Sequence, residues 1–108
     1  AKIETYPLHA ENNFLPRFED IPAETARVAK FMIVSYPSNT VCSVADDAFY
    51  EELIAFAKKY NIIILHDNAY SDIIYDGREG KSFLSYPGAK EVGIEFYSLS
   101  KSYNMTGR

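Results

Sequence analysis

From Asp46 to Tyr60 the apolar residues Phe49, Leu53, Phe56 and Tyr60 recur at intervals of four, three and four, the spacing of one face of a helix. Asp46 and Asp47 stand at its start, where carboxylates accept free backbone N–H groups, and Lys58 and Lys59 at its end, where cations suit the helix dipole. Two runs flank this helix without such a period. Phe31 to Tyr36 (FMIVSY) and Ile62 to Leu65 (IIIL) are nearly continuous apolar stretches of strand length, the pattern of strands covered on both faces. Val92 to Tyr97 reads as a third strand. Upstream, Ile3 to Leu8 alternates weakly and reads as a short strand. Residues 9 to 22, with Asn12, Asn13, Pro16 and Pro22, read as a loop, and Ala23 to Ala29 as a short helix whose first turn suits Pro22. Gly77, Gly80, Pro87 and Gly88 make residues 76 to 90 a connection.

Strands separated by a helix of this length predict right-handed crossovers and an α/β fold with a mostly parallel sheet. In such sheets the ligand crevice lies beyond the carboxyl ends of the strands. Three polar clusters fall there: Ser38 and Asn39, then Asp67 to Tyr70 behind His66, then Ser98 to Lys101. The chemistry is expected along one edge.

Composition narrows the classes. In 108 residues, 47% hydrophobic and 24% charged, there is room for one small core and no sign of a disordered tail. A formal charge of -4 disfavours nucleic acid as a partner. The longest apolar run is far too short to span a membrane, and one cysteine, Cys42, forms no internal disulfide, so a cytoplasmic setting is expected. With two histidines, His9 and His66, no metal site is expected; His66 reads as a buried, hydrogen-bonded residue. Cys42 reads as a small buried hydrophobe, and the tyrosines at 36, 50, 60, 75, 86, 97 and 103 as packing residues.

Lys101 is the amine of the set, and amines form Schiff bases with carbonyl compounds. A pyridoxal phosphate cofactor needs such an amine together with an acid for its ring nitrogen, partners for its phenolic oxygen and donors for its phosphate. Asp67 suits the nitrogen, Tyr70 and Asn39 the phenolic oxygen, and Ser98, Ser100 and Arg108 the phosphate.

The segments YPSN (36 to 39), HDNAYSDIIYDG (66 to 77) and SLSKSYNMTGR (98 to 108) resemble class I/II aminotransferases of the fold-type I, pyridoxal-phosphate-dependent superfamily, most of all the branch that holds LL-diaminopimelate aminotransferases. The resemblance runs through essentially the whole chain and identifies the cofactor. It implies that Lys101 carries the cofactor as a Schiff base and moves the substrate's α-proton, with Asp67 and Tyr70 as its catalytic partners. Asn39, Ser98, Ser100 and Arg108 complete the implied cofactor contacts. Two departures from the family pattern stand out: Asn39 precedes Thr40 instead of Pro, and Arg108 follows Gly107 with no residue between.

The implied activity is amino-group transfer between an L-amino acid and a 2-oxo acid, by a homodimer; a pyridoxal-phosphate-dependent carbon–sulfur β-lyase is the alternative chemistry. Family enzymes are several times longer. Residues 1 to 108 are therefore expected to be part of the large cofactor-binding domain, without the upstream phosphate-loop segment and the downstream small domain. By itself this stretch is expected to be a structural, inactive piece.

Overall fold

The computed structural model describes residues 1–39, 41–75 and 77–107. Three parallel strands form one sheet in the order β1 (Phe31–Ser35), β2 (Ile63–Asp67), β3 (Gly93–Phe96). Helix α1 (Ala23–Val28) precedes β1, and α2 (Asp47–Tyr60) connects β1 to β2. A loop, a 3-10 turn at Phe83–Ser85 and the single turn α3 (Ala89–Val92) lead into β3, and the turn α4 (Leu99–Ser102) follows it. The parallel α/β architecture expected from the alternating strand and helix patterns is the one observed.

Helix α2 begins where Asp46 accepts the Phe49 N–H at 2.8 Å, and it ends at Asn61, whose left-handed backbone closes the last turn onto Ala57. Its buried face comprises Phe49, Tyr50, Leu53, Ile54 and Ala57, while Phe56 and Tyr60 are half-buried. The buried stripe thus lies to one side of the line through Phe49, Leu53, Phe56 and Tyr60, since Tyr50 and Ile54 are buried and the Tyr50 ring packs against Tyr86 and Phe83. With Met32, Val34, Tyr36, Ile62 and Ile64 these residues make the core.

Among the described residues the strands are covered on one face. Burial alternates along β1 and β2, so Met32, Val34, Ile64 and His66 face α2 while Phe31, Ile33, Ile63 and Asp67 face the other way. Among the described residues no layer lies over that second face, where Ile33 is 67% and Phe96 55% exposed. Ile3 to Leu8 forms no strand: Pro7 lacks a donor for a ladder, and the segment is tied to the sheet by the Tyr6 hydroxyl, which donates to the Ile33 carbonyl at 2.7 Å. Residues 9 to 22 contain two 3-10 turns, at Ala10–Asn12 and Phe18–Asp20, and Pro22 caps α1 from outside. Strand β2 also runs two residues further than the apolar pattern, because His66 and Asp67 complete the ladder with β1 and β3.

Gly93 has ordinary extended backbone, yet a methyl group there would meet Phe83 Cε1 at 2.2 Å. Phe83 is fully buried, so its ring has nowhere to retreat. Gly93→Ala is expected to cost about 1–3 kcal/mol in urea unfolding of the full-length protein. Adding Phe83→Leu is expected to recover part of that loss; a double variant that shows only the sum of the two single costs would refute steric crowding as the cause.

Candidate active site

The strand ends set the geometry. Asp67 closes β2 in register with Ser35 of β1 and Phe96 of β3, and neighbouring strands lie about 4.8 Å apart, so three strands span about 10 Å of edge. The Asp67 carboxylate is exposed on the face away from α2. Immediately beyond, the Asn68 N–H donates to the Phe96 carbonyl at 2.8 Å, carrying the chain across the end of β3 and into the loop that holds Tyr70.

Ser98 has extended backbone and caps α4, its Oγ accepting the Ser100 N–H at 3.2 Å. That bond uses a lone pair and keeps the hydroxyl proton for another acceptor. Lys101 lies in the turn, exposed, with Nζ 5.8 Å from the centroid of the half-buried Tyr70 ring, within range of a cation–π contact. The structure thus brings together Lys101 and Tyr70 directly and sets Ser98, Ser100 and Asp67 on the adjoining backbone. Asn39 is exposed in a turn in which Ser38 and Ser43 share a backbone bond, and no described hydrogen bond links it to the others. Arg108 and Thr40 lie outside the described residues.

Behind Asp67, on the α2 face, sits a polar group inside the core. His66 is fully buried, with Nε2 3.1 Å from the Tyr50 hydroxyl. Burial raises the Tyr50 hydroxyl's pKa, so it remains protonated. Nδ1 faces Glu95 Oε2 at 3.3 Å, without hydrogen-bond geometry. Glu95 also accepts the Ser82 hydroxyl at 2.8 Å and the Phe83 N–H at 2.6 Å, fastening the 3-10 turn to β3. Desolvation holds the His66 pKa below its ordinary 6.5, partly opposed by the Glu95 and Asp67 charges.

Several expectations change. Cys42 is exposed, in a left-handed turn position that points it away from the core. Tyr75, Tyr97 and Tyr103 are 77%, 49% and 65% exposed and do not pack the interior. A groove of about 630 Å³ opens on the α2 side, lined by Tyr36, Asp46, Asn68, Arg78, Lys81 and Tyr86 among others; none of the site residues lines it. Among the described residues no group of three His, Cys, Asp or Glu side chains could hold a metal, and no helix is long and apolar enough to cross a membrane. Asp72, Tyr97 and Ser102 form a hydrogen-bonded cluster beside Lys101 that no local pattern announces, since its members are up to 30 residues apart.

The parallel α/β sheet thus carries a lysine, a carboxylate, a phenol and hydroxyls beyond its carboxyl edge. The particular family follows from relatedness: the model for "Aminotransferase class I and II" matches residues 1–108, and the chain belongs to that family. It is 55% identical over 101 residues to an LL-diaminopimelate aminotransferase of Moorella thermoacetica, covering 94% of this chain and 26% of that protein. It is 53% identical over 103 residues to LL-diaminopimelate aminotransferase 2 of Trichormus variabilis, covering 95% and 26%. The substrate-bound structure of BacF from Bacillus subtilis superposes with a TM-score of 0.90 at 46% identity, covering 94% of this chain and 26% of that one. The chain therefore spans about a quarter of the length of the relatives it matches.

His66 yields a signed pH prediction. Its folded pKa is lowered, so the unfolded chain binds the proton more readily and stability rises with pH. The contribution is complete above the unfolded value of 6.5 and is lost as pH falls below it. Urea midpoints of the full-length protein are expected to drop between roughly pH 7 and pH 5, and His66→Gln to flatten that slope. An unchanged slope in His66→Gln would assign the titration to other groups.

Proposed function

We propose that this chain is part of the large, cofactor-binding domain of a pyridoxal-phosphate-dependent aminotransferase, which moves an amino group from an L-amino acid to a 2-oxo acid. The observation that carries the reading is the Lys101 ammonium over the Tyr70 ring at the sheet edge that Asp67 closes. The donor set fits the cofactor: one amine, one exposed carboxylate, one phenol and two serines beyond adjacent strand ends. Family membership supports the same cofactor. The names of the relatives make LL-diaminopimelate the first amino donor to test. The family resemblance supports a homodimer as the working assembly.

When bound, pyridoxal phosphate supplies a carbonyl that takes up the amino group and a ring that accepts the electron pair left by the departing α-proton. The chain's own residues do the rest. Asp67 would accept the hydrogen bond of the protonated ring nitrogen, which would keep the ring electron-poor. Tyr70 would donate its hydroxyl to the phenolic oxygen and Asn39 its amide. Ser98 and Ser100, with Arg108, would hold the phosphate by hydroxyl and guanidinium donors. Lys101 would hold the cofactor through its amine and, once free of it, would accept the substrate's α-proton and give it back. A single amine would then serve as base and as acid.

The test is made in the full-length protein. Borohydride reduction with pyridoxal phosphate is expected to label Lys101 over all other lysines, and Lys101→Ala to abolish that label and to lower amino transfer on the order of a thousandfold. Scattered labelling that persists in Lys101→Ala would overturn the assignment. Product analysis with a 2-oxo acid acceptor separates transfer, which consumes the acceptor, from elimination, which releases ammonia.

A further inference from the structure

We infer that Asp72 is a positioning residue, whose carboxylate clamps the loop bearing Tyr70 to the turn bearing Lys101 and so sets where the lysine amine stands. The inference rests on the functional reading of Lys101 and Tyr70 given above.

Asp72 Oδ2 accepts two hydrogen bonds, from the Tyr97 hydroxyl and from the Ser102 hydroxyl at 3.0 Å. The two hydroxyl oxygens lie 3.3 Å apart. Each hydroxyl has one proton, and both protons go to the carboxylate, so the shared acceptor is what draws the two together. Their places in sequence give the cluster its meaning. Tyr97 and Ser102 bracket Ser98 to Lys101, and Asp72 stands two residues beyond Tyr70. One carboxylate oxygen therefore joins the Tyr70 loop to both ends of the lysine segment.

A second tie lies upstream, where the Asn68 N–H meets the Phe96 carbonyl at 2.8 Å. Residues 68–72 and 96–102 are thus held to each other by two rungs, with Tyr70 and Lys101 between them. Helix α4 has four residues, too few to persist by its own backbone bonds, and Leu99 and Tyr103 are 46% and 65% exposed, so apolar packing does not anchor it. The clamp is charge-assisted: the Tyr97 bond first and the Ser102 bond second hold the Asp72 carboxyl below the usual range, and Tyr97 is raised in return.

The experiment compares Asp72→Ala, Tyr97→Phe, Ser102→Ala and the double variant Asp72→Ala/Tyr97→Phe in the full-length protein, with and without pyridoxal phosphate. Amide hydrogen exchange is expected to rise about threefold to tenfold in both 68–75 and 98–103 for each single variant, with β1 and α2 unchanged. The double variant is expected to exchange no faster than Asp72→Ala, because both changes break one unit. Borohydride labelling of Lys101 at saturating cofactor is expected to slow by a similar factor, while the cofactor concentration for half-labelling stays close to that of the parent. Exchange that rises only in the mutated segment, or additive effects in the double variant, would overturn the clamp. If the parent does not label at Lys101, the cofactor reading fails and the exchange data alone decide the clamp. If it does label and the two segments exchange independently, the clamp fails and the cofactor reading stands.

Discussion

Packing of α2 against one face of a parallel sheet decides where every polar group at the strand ends can point. Side chains alternate along a strand with period two, so once Met32, Val34, Ile64 and His66 are buried beneath α2, Asp67 must face the opposite side. A slip of one residue would bury Asp67 and expose His66, exchanging the carboxylate at the edge for an imidazole. Leu53, Ile54 and Ala57 resist that slip because they are themselves fully enclosed by the face they cover. Core packing and site chemistry are in this sense one constraint.

The same alternation explains why an imidazole occupies a core position one residue before the edge carboxylate. A hydrocarbon at 66 would satisfy the packing, but Glu95 lies directly across the ladder and needs partners for its oxygens. Ser82 and Phe83 supply them, His66 Nδ1 faces Glu95 Oε2 at 3.3 Å, and Tyr50 meets the imidazole from the helix side. The pair joins three elements, α2, β2 and β3, with the 3-10 turn before α3. Its cost is desolvation, visible as the lowered His66 pKa, and a buried polar group that is only partly satisfied loses stability if a partner is removed.

The elements with a strong period were legible in the residues themselves. Phe49, Leu53 and the capping Asp46 announced α2, and FMIVSY and IIIL announced strands, because burial imposes its spacing on the chain. What the runs did not tell was how many faces are covered: Ile33 and Ile63 are as apolar as Val34 and Ile64, and only the three-dimensional arrangement separates them. Ile3 to Leu8 misled because alternation without a ladder partner is not a strand. At the candidate site, motif order singled out Asp67, Tyr70, Ser98 and Lys101, which lie within five residues of a strand end. Asp72, Tyr97 and Ser102 were not, because their link is a contact between separate segments and no spacing encodes it.

These two modes of support have different physical characters. The sheet and α2 are fixed by buried apolar area, which does not depend on direction and tolerates small displacement. The lysine turn, exposed and four residues long, is fixed by hydrogen bonds, which are directional and fail when one partner moves. In the proposed role of Lys101, an amine that reaches one atom and then another needs a fixed base and a free tip. Anchoring the backbone on either side of Lys101 through Tyr97 and Ser102, while leaving its side chain in solvent over the Tyr70 ring, satisfies both requirements. A turn buried in the core would have supplied the first at the expense of the second.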